Sequence, residues 1–140
     1  VHKLSAHPGG CFALAWSPDG KTLATGGGEA GHGFLRQAQE GASKDAVKLW
    51  DAAAGKLLRS YPCDPRHYVG AMAWSADGKH LAHTGLDGTR VRVLDPATGA
   101  ERAKLDTPTA ALAFSPDGGL LAAAGAGGKG NAEGLVELWD

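Results

Sequence analysis

Several residue types that usually mark a specific chemistry are scarce in this 140-residue chain. Its only two cysteines, Cys11 and Cys63, are too weak a signal for a disulfide framework, and we expect one buried thiol and one loop thiol. No apolar run approaches the roughly 20 residues that a membrane-spanning helix needs. The formal net charge of −1 lacks the basic excess by which proteins hold nucleic acid, so neither a membrane nor a nucleic acid is predicted as a partner.

Glycine, by contrast, is abundant at 22 residues, and several of these glycines belong to a sequence phrase that occurs three times in the chain. AWSPDGKTLATGG begins at Ala15, AWSADGKHLAHTG at Ala73 and AFSPDGGLLAAAG at Ala113. A second phrase follows each copy as AVKLWD, VRVLD and LVELWD, and the final aspartates of these phrases lie 44 and 45 residues apart. This period is typical of a four-stranded propeller blade.

Alternating residues predict short strands within each copy. Bulky side chains alternate with alanine before each turn, in the pairs Leu14/Trp16, Met72/Trp74 and Leu112/Phe114. A strand that is bulky on one face and small on the other suits a sheet packed closely between two others. Ser-Pro-Asp-Gly favours a tight turn into a second strand, and we expect fourth strands at residues 56–61 and 101–105.

These phrases strongly resemble the WD-repeat β-propeller family, over nearly the whole chain and about three consecutive repeats. The resemblance implies an all-β fold, a partial β-propeller of about three four-stranded antiparallel blades in an open arc rather than a closed ring. It predicts one propeller segment at residues 1–140, with an outer strand at 1–6, blade one at 10–62, blade two at 68–106 and an incomplete blade three at 109–140. Because closed propellers have at least four blades, we expect a segment of a longer propeller or, less favoured, self-association that completes a ring.

The family often carries a buried hydrogen-bond network of His, Ser or Thr, Asp and Trp. The resemblance assigns this structural role in blade one to four residues: His7, Thr25, Asp45 and Trp50. Blade two retains only Asp87, because His83 and Leu94 replace the hydroxyl residue and the Trp. Blade three retains Trp139. A catalytic triad of His7, Thr25 and Trp50 is the weaker alternative.

Blade one also carries a long insertion between its second and third strands. It takes 21 residues from Gly26 to Val47, where blade two takes six from Gly85 to Val91. The resemblance places such loops on a face where partners often dock, and long loops are often functional. The predicted partner-binding residues are His32, Phe34, Leu35 and Arg36. Deleting the loop is expected to leave folding intact and to abolish partner capture.

Three patterns that suggest chemistry fail on their details. The GAGGKGN stretch lacks the first Gly and the final Ser or Thr of a phosphate-binding loop. His80 and His83 are three apart on a strand, so they point to opposite faces and cannot share a metal. Each of three turn carboxylates belongs to a different blade, and we expect them to lie far apart: Asp19, Asp77 and Asp117. The sequence therefore predicts no catalytic, metal or cofactor-binding residues, and no enzyme.

The predicted function is a noncatalytic protein–protein interaction scaffold that presents loops to a protein or peptide partner. The alternative is a regulatory or substrate-binding propeller portion of a larger bacterial signalling enzyme. A bacterial origin is suggested, by resemblance, by the alanine- and glycine-rich composition. A cytoplasmic location is favoured. The partner, the pathway and the total number of blades stay open.

Overall fold

The fold is built from short antiparallel strands joined by tight turns. The computed structural model describes residues 1–28, 45–62, 69–85, 90–107, 109–126 and 134–140. These residues contain no helix, and so none that could cross a membrane. They form eleven strands: β1 (Cys11–Trp16), β2 (Thr22–Gly27), β3 (Asp45–Asp51), β4 (Lys56–Pro62), β5 (Met72–Trp74), β6 (Leu81–Thr84), β7 (Val91–Leu94), β8 (Glu101–Leu105), β9 (Ala111–Phe114), β10 (Leu121–Ala126) and β11 (Gly134–Trp139).

The strands form three separate open sheets, each an antiparallel meander in chain order. Blade one is β1-β2-β3-β4, blade two is β5-β6-β7-β8, and blade three is β9-β10-β11. This arrangement confirms the predicted all-β class and the partial propeller. The fourth strands expected at residues 56–61 and 101–105 are present as β4 and β8.

The turn between the first two strands of each blade has one construction. In blade one the Ser17 hydroxyl donates to the Asp19 carboxylate at 2.6 Å, and the Lys21 amide donates to the same oxygen at 3.0 Å. The Thr22 amide in turn donates to the Ser17 hydroxyl at 2.9 Å. Gly20 closes the turn with a φ of 68°, in the left-handed region that only glycine adopts freely. The same bonds recur in blades two and three, so the Ser-x-Asp-Gly phrase specifies this turn locally.

Adjacent blades stack by placing a bulky face against a small-residue face. We call the face of each blade that carries its bulky first-strand residues the front face, and the opposite one the back face. The back face of blade one presents Ala13, Ala24, Val47 and Leu49, which pack with Met72 and Leu81 from the front face of blade two. The back face of blade two presents Ala82, Val91 and Val93, which pack with Leu112, Phe114 and Leu121 of blade three. The core of the protein therefore lies between its sheets.

Gly26 shows how closely blades one and two approach. A Cβ atom built at Gly26 would collide with the Val69 side chain and would lie 2.8 Å from the sulfur of Met72. Both of those residues precede or begin the first strand of blade two, and Val69 is fully buried. Only glycine fits at this point of the interface.

Residues 1–6 pair with no sheet among the described residues, and the outer strand expected there stays a prediction. They lie instead across blade one, where His2 Nε2 donates to the Ala53 carbonyl at 2.9 Å and Lys48 Nζ donates to the Ala6 carbonyl at 2.5 Å. Cys11 is an exposed free thiol rather than a buried one, since it opens β1 beside a bulge.

Candidate functional site

Three of the four residues predicted to form a network in blade one are in hydrogen-bond contact. The indole Nε1 of Trp50 donates to the Thr25 hydroxyl at 3.0 Å, and His7 Nε2 lies 2.9 Å from the same oxygen. Thr25 and Trp50 are buried on the front face, and Gly27 leaves room for the imidazole of His7. Asp45 begins β3, but its side chain lies outside the described residues. The contacts join the entering segment, β2 and β3.

The equivalent positions in the other blades carry different chemistry. Met72 pairs with His83 as Leu14 pairs with Thr25, so His83 stands in the hydroxyl position of blade two. In blade three the same position is Ala123, which offers no hydroxyl to Trp139. Asp87 lies outside the described residues.

His83 is a buried imidazole whose Nδ1 has no hydrogen-bond partner among the described residues. Burial, together with the charge of the Arg92 side chain paired across on β7, lowers the pKa of His83 from 6.5 to about 4. The Thr84 backbone opposes this shift only in part. His83 is therefore neutral near pH 7 and acts as a packing residue rather than as an acid or base.

Two of the turn carboxylates lie closer together than the sequence led us to expect. Because the turns follow the innermost strands, and those strands are neighbours in the arc, successive turns stack on one another. A Cβ atom at Gly78 would lie 3.5 Å from Pro18, and one at Gly118 would lie 3.9 Å from the Ala76 amide. Asp19 and Asp77 line one groove, which corrects the expectation that they are far apart.

This groove lies between blades one and two and encloses about 430 Å³. Its apolar part includes the exposed Leu58 and the half-buried Trp74, whose indole donates to the Gly78 carbonyl at 3.1 Å. The hydroxyls of Ser17 and Ser75 bond to Asp19 and Asp77 and hold the pKa of each carboxyl below its ordinary value. Both carboxylates are therefore charged at neutral pH. Among the described residues that line the groove, Arg59 is the one cation, and Lys79 at its rim lies 4.0 Å from the Asp77 carboxylate.

The sequence analysis did not predict the contact of Tyr61 with the turn at Pro96–Gly99, which joins the outer parts of blades one and two. The Tyr61 hydroxyl donates to the Pro96 carbonyl at 2.6 Å, and its ring fills the space where a Cβ at Gly99 would lie. In the turn that Pro96 begins, the Asp95 carboxylate accepts the amides of Ala97 and Thr98. The phrases WDAAAG and LDPATG were the available signal, because an aspartate at the same place in each repeat indicates a shared turn.

The predicted partner-binding residues lie outside the described part of the chain, and their role stays a prediction: His32, Phe34, Leu35 and Arg36. Among the described side chains, no group of three or more His, Cys, Asp or Glu residues is placed to hold a metal ion. His80 precedes β6 and His83 lies within it.

Comparison with known proteins identifies the repeat. The family model described as "WD domain, G-beta repeat" matches residues 1–33 and 55–93, which together make up just over half of the chain. The chain belongs to the WD40 family. The expected family resemblance is confirmed, and the matched stretches include β1, β2 and β4 of blade one and β5, β6 and most of β7 of blade two.

Three curated relatives give the extent of the likeness. The chain is 30% identical over 146 residues to Centriole proteome protein 16 of Chlamydomonas reinhardtii, covering 98% of this chain and 6% of that protein. It is 30% identical to the WD repeat-containing protein VIP3 of Arabidopsis thaliana, covering 81% of this chain and 35% of the relative. It is 28% identical to the Arabidopsis protein named Cell division cycle 20.1, cofactor of APC complex, covering 98% and 26%. The WD40 chain thus spans about a third or less of the length of each.

The solved structures contain the same fold. Kuenenia stuttgartiensis hydrazine synthase superimposes with a TM-score of 0.69, covering the whole of this chain and 35% of the other at 22% identity. At this identity the likeness shows the fold alone. The two chains share the arrangement of antiparallel blades. WD40 repeats commonly form propellers that bind other proteins, which is the general role their presence implies here.

Proposed function

We propose that this chain is a noncatalytic interaction scaffold that binds a peptide segment of a protein partner. The observation that carries the proposal is the groove between blades one and two, where the apolar side chains of Leu58 and Trp74 lie beside the charged carboxylates of Asp19 and Asp77. Apolar lining with a few fixed polar groups is typical of a ligand groove. The family membership supports a binding role over a catalytic one.

The charge of the groove indicates the chemistry of the peptide. The described lining holds the carboxylates of Asp19 and Asp77, both with lowered pKa values, and Asp77 is already paired with Lys79, so Asp19 is the carboxylate that favours a segment with a basic side chain next to an apolar one. The turns that carry the carboxylates are held by their own serine and amide bonds, so little ordering of these carboxylates is required on binding. The relative named as a cofactor of the APC complex is one example of a similar chain that works with a larger assembly.

The experiment is a selection of displayed random peptides against the immobilised chain, followed by affinity measurements on the selected peptides. We expect the selected peptides to pair a Lys or Arg with an apolar residue, and their binding to weaken with added salt. Leu58→Lys should weaken binding at least about tenfold, because it removes an apolar contact and repels the basic side chain of the peptide. Lys56→Glu, on the same strand but outside the groove lining, is the matched control and should bind as the parent chain does.

Undiminished binding to Leu58→Lys would show that the groove is not the site. If deletion of residues 28–45 abolishes peptide binding instead, the partner surface lies in the insertion, as the sequence predicts. The two sites are therefore separated by the same selected peptides.

A second candidate function is the propeller portion of a larger enzyme. The observation in its favour is that hydrazine synthase contains a region of this fold that corresponds to only 35% of its chain. Sequencing of the coding region on both sides of these 140 residues would test this candidate directly. An adjoining catalytic domain would support it, and the absence of any such domain would contradict it.

A further inference from the structure

A second pocket extends the groove between blades one and two across the turns of blade two. This blade-two pocket encloses about 420 Å³ and is lined by the turn before β6, the turn before β8 and Arg102. The pocket and the groove share three lining residues: Gly78, Pro96 and Ala97. A peptide that lies in the groove can therefore continue along the same surface into the pocket.

The groove and the blade-two pocket each receive one side chain from the same kind of β-bulge. In β4 the register with β3 shifts and leaves Leu58 as the extra residue between the paired Leu57 and Arg59. In β8 the register with β7 shifts in the same way and leaves Arg102 as the extra residue. A bulge re-aims a side chain. Leu58 accordingly lines the groove, and Arg102 lines the blade-two pocket.

The bulge residue changes from apolar in blade one to cationic in blade two. The Arg102 side chain is 55% exposed, and its guanidinium donates to the Asp95 carboxylate at 2.6 Å. The Asp95 side chain is only 19% exposed, and its carboxylate also accepts the amides of Ala97 and Thr98. The ion pair therefore holds the guanidinium in place at the pocket surface, while its carboxylate partner is largely covered.

The neighbouring charges of Lys79 and Glu101 are already paired. Lys79 also lines the blade-two pocket, and its ammonium lies 4.0 Å from the Asp77 carboxylate. Glu101 accepts a hydrogen bond from Arg92 at 3.1 Å. Because the charges within these pairs offset each other, Arg102 sets the preference of the pocket. A guanidinium has five N–H donors, so Arg102 can bind a second carboxylate while it keeps the bond to its first.

We propose that the blade-two pocket binds an acidic side chain of the peptide whose basic and apolar residues lie in the groove. This proposal rests on the proposed function, because its occupant is the continuation of that peptide. A carboxylate forms charge-assisted hydrogen bonds with a guanidinium that is already fixed in place, whereas a basic side chain is repelled by it. The partner segment therefore carries charges of both signs, with a basic residue at Asp19 and an acidic residue at Arg102.

The test uses the peptides selected by display against the 140-residue chain. We expect them to carry an Asp or Glu at a fixed spacing from the basic and apolar residues. Replacing that acidic residue with Ala should weaken binding about tenfold, and Arg102→Gln should weaken binding of the unchanged peptide by a similar factor. The two changes together should cost little more than either alone, because both remove the same contact. Additive losses, or selected peptides without an acidic position, would overturn the proposal.

A charge reversal adds a result that a loss of folding cannot imitate. Arg102→Glu should prefer the peptide in which the acidic residue is replaced by Lys over the unchanged peptide. An unchanged preference in this variant would contradict the assignment of the acidic side chain to Arg102.

The matched control is Arg90→Gln. Arg90 is a similarly exposed arginine of blade two that pairs with Asp106 at 3.1 Å and lies outside the described lining of both the groove and the pocket. This variant should bind every selected peptide as the parent chain does. Leu58→Lys separates the two proposals. Weakened binding in Leu58→Lys without coupling at Arg102 would overturn this inference alone, whereas undiminished binding in Leu58→Lys would overturn the proposed function and this extension with it.

Discussion

Replacing Thr25 with valine isolates the hydrogen bonds that join His7, Thr25 and Trp50. Valine has nearly the shape of threonine, so the fully packed site loses a hydroxyl and almost no volume. The Trp50 indole N–H, now 3.0 Å from the Thr25 oxygen, would be left buried without a partner, and His7 would lose its contact at 2.9 Å. An unsatisfied buried polar group costs about 1–3 kcal/mol, so we expect a loss of that size in the free energy of unfolding.

The assay is equilibrium unfolding in urea, with the stability compared at an unchanged slope against denaturant. Thr22→Val is the matched control, because Thr22 lies on the same strand and is only half-buried. It should change stability by less than about 0.5 kcal/mol. A double-mutant cycle of Thr25→Val with Trp50→Phe should show a coupling of about 1 kcal/mol. Equal losses in Thr25→Val and Thr22→Val would refute the reasoning that these bonds stabilise blade one.

Three other perturbations have definite expected outcomes. Trp50→Ala should cost about 3–5 kcal/mol in urea unfolding, as for other buried aromatic residues, and an unchanged midpoint would refute its place in the core. Gly26→Val should destabilise by about 1–3 kcal/mol because its side chain would collide with Val69, whereas Gly70→Ala, which meets only an ordinary contact at 3.6 Å, should not. The pKa of His83 is about 4 in the folded chain and 6.5 ordinarily, so as the pH falls the imidazole is protonated in the unfolded chain before it is protonated in the folded one. Stability should therefore fall as the pH drops from 6.5 towards 4, by up to about 3 kcal/mol, and a His83→Thr variant with the same slope would contradict this assignment.

The strands and turns could be predicted because their causes are local. Alternation of bulky residues with alanine sets the two faces of each first strand, and the Ser17 and Asp19 side chains bond within their own turn. Recurrence at a fixed period then made the blade recognisable. The contacts of Thr25 with His7 and Trp50 could be anticipated only through family resemblance, because the three residues are far apart in the chain.

The errors came from relations between elements. The approach of Asp19 to Asp77 depends on how two blades stack, and their spacing in the chain of 58 residues suggested separation. The environment of His83 follows from the packing of blade two against blade one. A buried imidazole at that place was visible only as a departure from the pattern.

The central claim is that three sheets of WD40 repeats pack face to face into one cooperative arc. Amide hydrogen exchange on the 140-residue chain tests it most directly, read at the middle strands β2, β6 and β10. Because the buried clusters join blade one to two and blade two to three, the account predicts strong protection in all three strands with similar opening free energies. Rapid exchange throughout one blade while another stays protected would contradict it.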